Sequence, residues 1–379
     1  MLTIEKVDTD NKAQVRRFIR LPYQMYANCA QWVPPLLIDQ EVYLNRKKHP
    51  FYEHSTADFF IAVRDGKDVG RITALENTRF NAYHKTKQAQ FYHFECPDDQ
   101  EVANALFEQV FEWARGRGLD TVVGPKGFGA LDGYGIQVEG FQHRMLMNMM
   151  NYNFDYYPRL VEALGFVKEV DFVSCYLSAE SFTLPERIHR IAERVIQRGT
   201  LRVHDFTTKA ELRSWAGKIG KLYNDSFIYN WEYYPLTERE IAFILENIMI
   251  VADPRLIKII VNDKEEAVGF LFGFLDLSAA MQRAKGHLLP FGFIDILMLE
   301  GRRTDWIALN GAGVLPEYQG CGGNALLYVE MEKTVKNQDF HFKHADMTQV
   351  AETTKQMRAD LVNLGGKEYK NHRVYLKHL

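Results

Sequence analysis

The run from Val314 to Leu327 constrains this chain more than any other part of it. An apolar stretch, Trp306 to Leu309, leads in, and three closely spaced glycines (Gly320, Gly322, Gly323) follow. Behind them Leu327, Met331 and Val335 recur at helical spacing, so the order is strand, glycine bend, helix start. Glycines permit positive φ and close approach of a ligand to the backbone. The unpaired N–H groups at a helix start, aided by the helix dipole, form a seat for an anion. A phosphate-bearing ligand is expected there. Two common phosphate loops are excluded: no Lys-Ser or Lys-Thr follows Gly322-Gly323, and the glycine spacing does not fit Gly-x-Gly-x-x-Gly.

At 379 residues the chain has the length for two domains. A net charge of −3 leaves no basic footprint, so no nucleic-acid partner is expected. The start Met1-Leu2-Thr3 lacks the regions of a signal peptide. The longest apolar run, Leu288 to Leu299, is interrupted by Pro290, Gly292 and Asp295, so no membrane partner is expected either. The 4 cysteines (Cys29, Cys96, Cys175, Cys321) form no Cys-x-x-Cys pair, which implies reduced thiols, a cytoplasmic location and no structural zinc. His341 and His344, three apart on an expected strand, face opposite ways, and no metal site is expected. Oligomeric state leaves no mark on the sequence.

The second half reads as one unit. Leu201–Phe206 is an expected strand, Lys209–Phe227 a helix, and Thr237-Glu238-Arg239-Glu240 has the form of a capping box opening a helix to Val251. Leu256–Asn262 and Ala267–Leu275 suit a hairpin, and an irregular insertion, Asp276–Arg303, precedes the Trp306 strand. After the glycine-led helix come a strand near His341–Met347, a helix Glu352–Leu364 and a last strand Tyr369–Leu376. The first half repeats this grammar: strand Leu2–Val7, helix Lys12–Asn28, a hairpin turning at Asp65–Asp68, a strand at Gln90–Glu95, a periodic helix from Ala103 to Ala114, and strands at Asp120–Gly124 and Val170–Leu177. At the bend equivalent to the glycine loop it carries Cys96-Pro97-Asp98-Asp99-Gln100-Glu101, whose carboxylates would repel a diphosphate. Gly124–Gly129 reads as a loop, either facing a ligand or a plain surface turn. Arg46-Lys47-Lys48 reads as a solvated face.

Gln319-Gly320-Cys321-Gly322-Gly323-Asn324, preceded by Val314-Leu315-Pro316-Glu317-Tyr318, resembles the coenzyme A loop of the GNAT family of acyl-CoA-dependent N-acyltransferases, with Asn324 where the family has Gly or Ala. The element order from about residue 200 to 379 is similar to that family too. The resemblance implies an α/β fold of α+β type: two tandem GNAT-like modules, each a mixed, mostly antiparallel twisted sheet flanked by helices. The expected domains are a first module at 1–180 that does not hold coenzyme A, a linker helix at 181–199, and an active module at 200–379.

The resemblance further implies acetyl-CoA or another acyl-CoA as co-substrate and an amine acceptor, a small molecule or a peptide, that attacks directly. Gln319, Gly320, Cys321, Gly322, Gly323, Asn324 and Ala325 would anchor the phosphates, and the backbone at Gly313 and Val314 would pair with the pantetheine arm and polarise the carbonyl. For the base, Asn310 and Ala308 stand where some relatives carry Glu, and Asp305 lies just before them. For the acid, many members carry a Tyr where this chain has Leu361, leaving Tyr328 and Tyr369 as stand-ins. A thiolate with a pKa of about 8.5 can also depart unprotonated.

The loop carrying Tyr229, Trp231, Glu232, Tyr233 and Tyr234 either holds an amine by cation–π contact or packs a domain junction. Leu288, Leu289, Phe291, Phe293, Ile296 and Leu297 either line an apolar pocket or cover a sheet. Two other functions fit less of the pattern: an acyl-CoA-binding protein without transfer, and an aminoacyl-tRNA-dependent transferase.

Overall fold

The computed structural model describes residues 1–129, 132–147, 149–180, 182–337 and 339–379, without the side chains of residues 297, 299 and 301; Leu297 of the expected apolar pocket is therefore outside the described residues. Two compact units are present. The first comprises Met1–Val173, Ser278–Phe293 and Lys370–Leu379; the second comprises Ser174–Leu277 and Ile294–Tyr369. The expected boundaries put Ser278–Phe293 and Lys370–Leu379 in the second module, whereas the fold places both in the first. A strand joins whichever sheet edge complements it, and chain order does not specify that edge.

In the first unit, β1 (Leu2–Lys6), β2 (Thr56–Arg64), β3 (Lys67–Glu76) and β4 (Gln88–Glu95) form an antiparallel run. β5 (Thr121–Gly124) lies parallel to β4, and β13 (Lys367–His378) lies antiparallel to β5. β6 (Ile136–Glu139) also pairs with β13, and β7 (Val167–Ser178) neighbours it. The β2–β3 turn has Asp65 at φ 51° and Gly66 at φ 76°, the twist that a tight hairpin requires. Helix α1 (Lys12–Met25) is capped by Asn11, and α2 (Leu37–Leu44), absent from the sequence reading, follows it. Helix α3 (Gln100–Arg115) buries Ala103, Leu106, Phe107, Val110, Phe111 and Ala114, the stripe its periodicity predicts.

In the second unit the strand order is β7, β12 (His344–Ala351), β11 (Trp306–Val314), β10 (Ala267–Leu275), β9 (Ile257–Asn262), β8 (Leu201–Asp205). β11 and β12 are parallel, and the β8–β11 run is antiparallel. Helix α4 (Glu186–Arg198), expected as a linker, is part of this unit. The helix expected over Lys209–Phe227 breaks at Trp215, so that α5 spans Ala216–Ser226. Helix α6 (Glu238–Val251) opens with the expected capping box: Glu240 N–H donates to Thr237 Oγ1 at 3.1 Å and Thr237 N–H to Glu240 Oε2 at 2.7 Å. Helices α7 (Gly323–Val335) and α8 (Lys355–Asn363) complete it. Ile260, Val268, Leu271 and Ile307 pack with Leu326, Leu327 and Met331 of α7. Side chains alternate along a strand, so Trp306, Ala308 and Asn310 occupy the face opposite α7.

Asp171 on β7 ties the last strand into the first unit. It accepts from Arg373 Nε at 2.8 Å, from Arg373 Nη2 at 3.1 Å and from Asn371 Nδ2 at 3.2 Å. Burial alone would raise this carboxyl, but the hydrogen bonds from Arg373, Lys168 and Asn371 outweigh it and hold the pKa below its ordinary value. The folded value lies below the unfolded one, so this stabilisation is present above pH about 4 and is lost as pH falls through the folded value. Asp171→Asn should cost about 2 kcal/mol at pH 7. In urea unfolding followed by circular dichroism, mutant and wild-type midpoints should converge at acid pH; a gap independent of pH would contradict this role.

Candidate functional site

In the second unit β11 and β12 pair only from Trp306 with His344 to Leu309 with Met347. Both strands continue, to Val314 and Ala351, without pairing to each other. The parting coincides with a bulge. Against β10 the register passes from Leu309 opposite Gly273 to Ala312 opposite Leu271, which leaves Asn310 and Gly311 as the irregularity. Gly311 sits at φ 103°, where a side chain would be strained. On β12, Gln349 lies at φ 50° just past the parting, and its N–H donates to Ser174 Oγ at 3.2 Å.

Leu315 N–H bonds Val268 O at 2.9 Å. By the alternation of an antiparallel ladder, Gly313 also turns its backbone groups to β10, whereas Ala312 and Val314 turn theirs toward the side that β12 has left. Val314, but not Gly313, can therefore pair with an extended ligand in the gap. Gly313 serves sterically: a Cβ there would lie 2.8 Å from Phe270 Cε1 and 3.0 Å from Ser226 Cβ of α5.

At the end of β11 the chain makes a single 3-10 turn, Pro316–Tyr318, and reaches the glycines. Gly320 (φ 78°) and Gly322 (φ 87°) are left-handed. A Cβ on Gly322 would approach Val195 Cγ2 of α4 to 2.7 Å, while one on Gly320 would meet nothing within 4 Å. Helix α7 starts with Gly322 as N-cap and no side-chain cap. Among the described residues the N–H groups of Gly323, Asn324 and Ala325 have no protein acceptor. Gln319 Nε2 donates to Val314 O at 3.3 Å and braces the turn. Arg194 and Arg198, exposed and one helical turn apart on α4, flank Val195; sequence reasoning assigned this helix only to a linker.

The proposed catalytic residues divide. Asn310 stands where the strands part, on the face opposite α7. The Tyr369 hydroxyl donates to Asp346 Oδ2, and Thr348 Oγ1 donates to Asp346 Oδ1 at 3.1 Å. Asp346, opposite Ala308 on β12, is 1% exposed, one residue before the last paired position. It is the carboxylate the sequence reading missed, because only the β11–β12 register brings it there. Asp305 lies instead at the closed end of the pair, its backbone carbonyl accepting from Lys343 and His344 and its carboxylate 3.9 Å from His344 Nε2. Tyr328 is also held elsewhere: its hydroxyl and the Asn324 amide both donate to Asp360 Oδ2 of α8 at 3.3 Å. Burial, then Asp360, pushes the Tyr328 phenol far above its ordinary range.

In the acceptor loop, Tyr233 and Tyr234 are buried, and Tyr234 Oη donates to Glu240 Oε1 at 3.0 Å. Trp231 and Glu232 are half-buried, and Tyr229 is exposed. These five residues do not form one open aromatic cage. Tyr223 and Phe227 of the α5 region pack against Phe270 and Phe272, with ring centroids 4.5 to 5.5 Å apart along the Tyr223–Phe227–Phe270–Phe272 series.

The corresponding place in the first unit is closed. β4 and β5 pair only from Gln88 with Thr121 to Gln90 with Val123. His93 (φ 48°) marks a bulge like that at Gly311. Past it, Lys126 N–H stays on Phe91 O at 3.0 Å, and Phe128, 1% exposed, packs on Phe51 and Phe59. Asp132 holds this loop by accepting from Phe128 N–H at 2.6 Å and Gly129 N–H at 2.9 Å. Gly124–Gly129 is thus an inward plug and not a surface turn. The helix start is filled too: Asp99 caps α3 through the N–H groups of Glu101 and Val102, and Arg64 pairs with Asp99 and Glu101.

The fold recurs in solved structures. A tandem GNAT protein from the clavulanic acid biosynthesis pathway aligns over 100% of this chain and 98% of its own, with a TM-score of 0.57 and 13% identity. The chain has the tandem GNAT fold. A GCN5-related glucosamine N-acetyltransferase region of a fungal multi-domain β-N-acetylglucosaminidase aligns over 100% of this chain and 38% of its own at TM-score 0.55 and 11% identity. No protein-family model matches the chain. In sequence it is 29% identical over 379 residues to a bacterial ceramide synthase of Caulobacter vibrioides, covering 97% of this chain and 95% of that protein. It is 25% identical over 374 residues to protein YghO of Escherichia coli, covering 97% and 94%.

The anion seat of this GNAT fold is tested at Gly320, where a side chain has room. Gly320→Asp should abolish thermal stabilisation by inorganic pyrophosphate and coenzyme A. Gly320→Asn, which keeps the left-handed preference without the charge, should retain most of it. Equal behaviour of the two variants would remove electrostatics from the explanation.

Proposed function

We propose that the second unit is an acyl-CoA-dependent N-acyltransferase that passes its acyl group directly to the primary amine of a lipid. The observation that carries this reading is the gap between β11 and β12, which opens at Asn310 and ends at the uncapped start of α7. A diphosphate on the amides of Gly323–Ala325 would lay an extended thioester arm along β11. The outward N–H groups of Ala312 and Val314 can then pair with that arm and with the carbonyl oxygen as negative charge develops on it.

The amine approaches from the face opposite α7. Its lone pair attacks the thioester carbon, the C–S bond breaks, and the thiolate leaves with the bonding pair. The proton released from nitrogen passes to Asp346, directly or through one water, while Tyr369 and Thr348 orient that carboxylate. Leu361, 5% exposed, stands where an acid would be expected, so the thiolate takes its proton from solvent.

Two observations support a lipid amine. The relative from Caulobacter is named a ceramide synthase, and a ceramide is an N-acylated lipid amine. The face that receives the acceptor is also lined by Tyr223, Phe227, Phe270 and Phe272. A second reading, acyl-CoA binding without transfer, is favoured by Leu361 alone.

Thiol release from acetyl-CoA and palmitoyl-CoA, with a long-chain amino alcohol or a polyamine as acceptor, separates these readings. The long-chain amine should release thiol and the polyamine should not. Coenzyme A binding without release on either acceptor would leave the second reading standing. Asp346→Asn should lower kcat on the order of a hundredfold, with coenzyme A affinity unchanged. Unaltered turnover in that variant would dismiss Asp346 as the base.

A further inference from the structure

In the first unit, the segment Ser278–Phe293 has a fixed base and an apolar tip. At the base, Ser278 Oγ accepts from Met147 N–H at 2.9 Å, and Gln282 Nε2 donates to Ala30 O at 2.8 Å and Trp32 O at 2.9 Å. Gly286 O accepts from Leu37 N–H at 2.9 Å. A Cβ at Gly286 would lie 2.3 Å from Tyr23 Cε1, so the chain is pressed against α1. Beyond this clamp the apolar residues turn outward: Leu289 is 73% exposed, Phe291 74% and Phe293 37%. Ile38, next to the Leu37 amide that bonds Gly286, is 57% exposed. Single exposed apolar side chains are ordinary, but three within five residues beside a fourth mark an interaction surface.

Charge decides what that surface meets. From Ser278 to Phe293 the chain has no Asp or Glu, and Arg283, Lys285 and His287 in it are exposed. The acids nearest the patch in sequence are Asp39 and Glu41 on α2 and Asp295, two residues past Phe293. Burial pushes Asp39 up to about 6, and the Asp295 carboxylate lies 3.9 Å from Arg303. Apolar residues on a rigid clamp, bordered by the cations Arg283 and Lys285, match the interface of a bilayer with anionic headgroups: rings enter the acyl boundary while the cations stay at headgroup level. We propose that Leu289, Phe291 and Phe293, with Ile38, dock the protein on an anionic lipid bilayer. Such docking needs no spanning segment, and no helix among the described residues is long and apolar enough to cross a membrane. The expectation of no membrane partner rests on the lack of a spanning run, which interfacial docking does not require.

The docking extends the lipid-amine reading by placing the protein where such an acceptor resides. Binding is nevertheless measured without acyl-CoA or acceptor, so its failure is separate from any failure of acyl transfer. The full chain is sedimented with vesicles of phosphatidylcholine alone and with vesicles containing phosphatidylglycerol. It should pellet with the anionic vesicles, less in high salt, and little with phosphatidylcholine. Phe291→Asp with Phe293→Asp should lower partitioning roughly tenfold or more, with thermal midpoint and stabilisation by coenzyme A unchanged. Equal pelleting of variant and wild type would overturn the proposal, as would the absence of pelleting. So would a concentration-dependent dimer, broken by the same substitutions, in a protein that ignores vesicles.

Discussion

Two parallel strands that hydrogen-bond for four residue pairs and then separate leave backbone donors of β11 facing outward within the sheet of the second unit. The separation is enforced locally. The bulge at Asn310–Gly311 adds a residue to β11 relative to β10 and raises its twist, and only glycine holds φ at 103° without strain. Everything proposed for the site follows from it: outward amides at Ala312 and Val314, an aligned entry to the uncapped helix, and Asp346 one rung before the last pair.

The first unit shows what happens when the same backbone plan loses its vacancy. It keeps a bulge, with His93 in the left-handed position, and a parallel pair that stops early. Its chain then folds inward, Phe128 fills the aromatic core, and Asp99 satisfies the helix start. Burial pushes the imidazole of His93 well below its ordinary pKa, which keeps the ring neutral among Phe18, Tyr43 and Phe128. Side chains within the unit occupy both positions that a coenzyme would need. A shared fold therefore does not carry a shared site.

Much of this was legible from residue order. Apolar periodicity located α3, the Thr237–Glu240 pattern located the start of α6, and the glycine triplet located the uncapped start of α7. Such signals are short in range, because capping and left-handed geometry depend on residues within one turn of chain. The break at Trp215 and the helix α2 escaped notice, since neither carries a strong cap or breaker. The aromatic loop after α5 left two readings open, an amine site or a packing cluster, because composition does not say which rings are buried; Tyr233 and Tyr234 are.

By itself the sequence determined the strand–glycine–helix unit, the repeated element order and the residue types able to hold a diphosphate, because these depend on neighbours along the chain. Only the tertiary structure decided three further matters. It set Asp346 and Tyr369 together and left Asp305 and Tyr328 aside, because strand register is a long-range choice. It gave the C-terminal residues from Lys370 onward to the first unit, because a strand's partner is selected by edge complementarity and not by position in the chain. And it turned Phe128 inward and Phe291 outward, since an aromatic residue in a loop carries no local signal of which side will bury it.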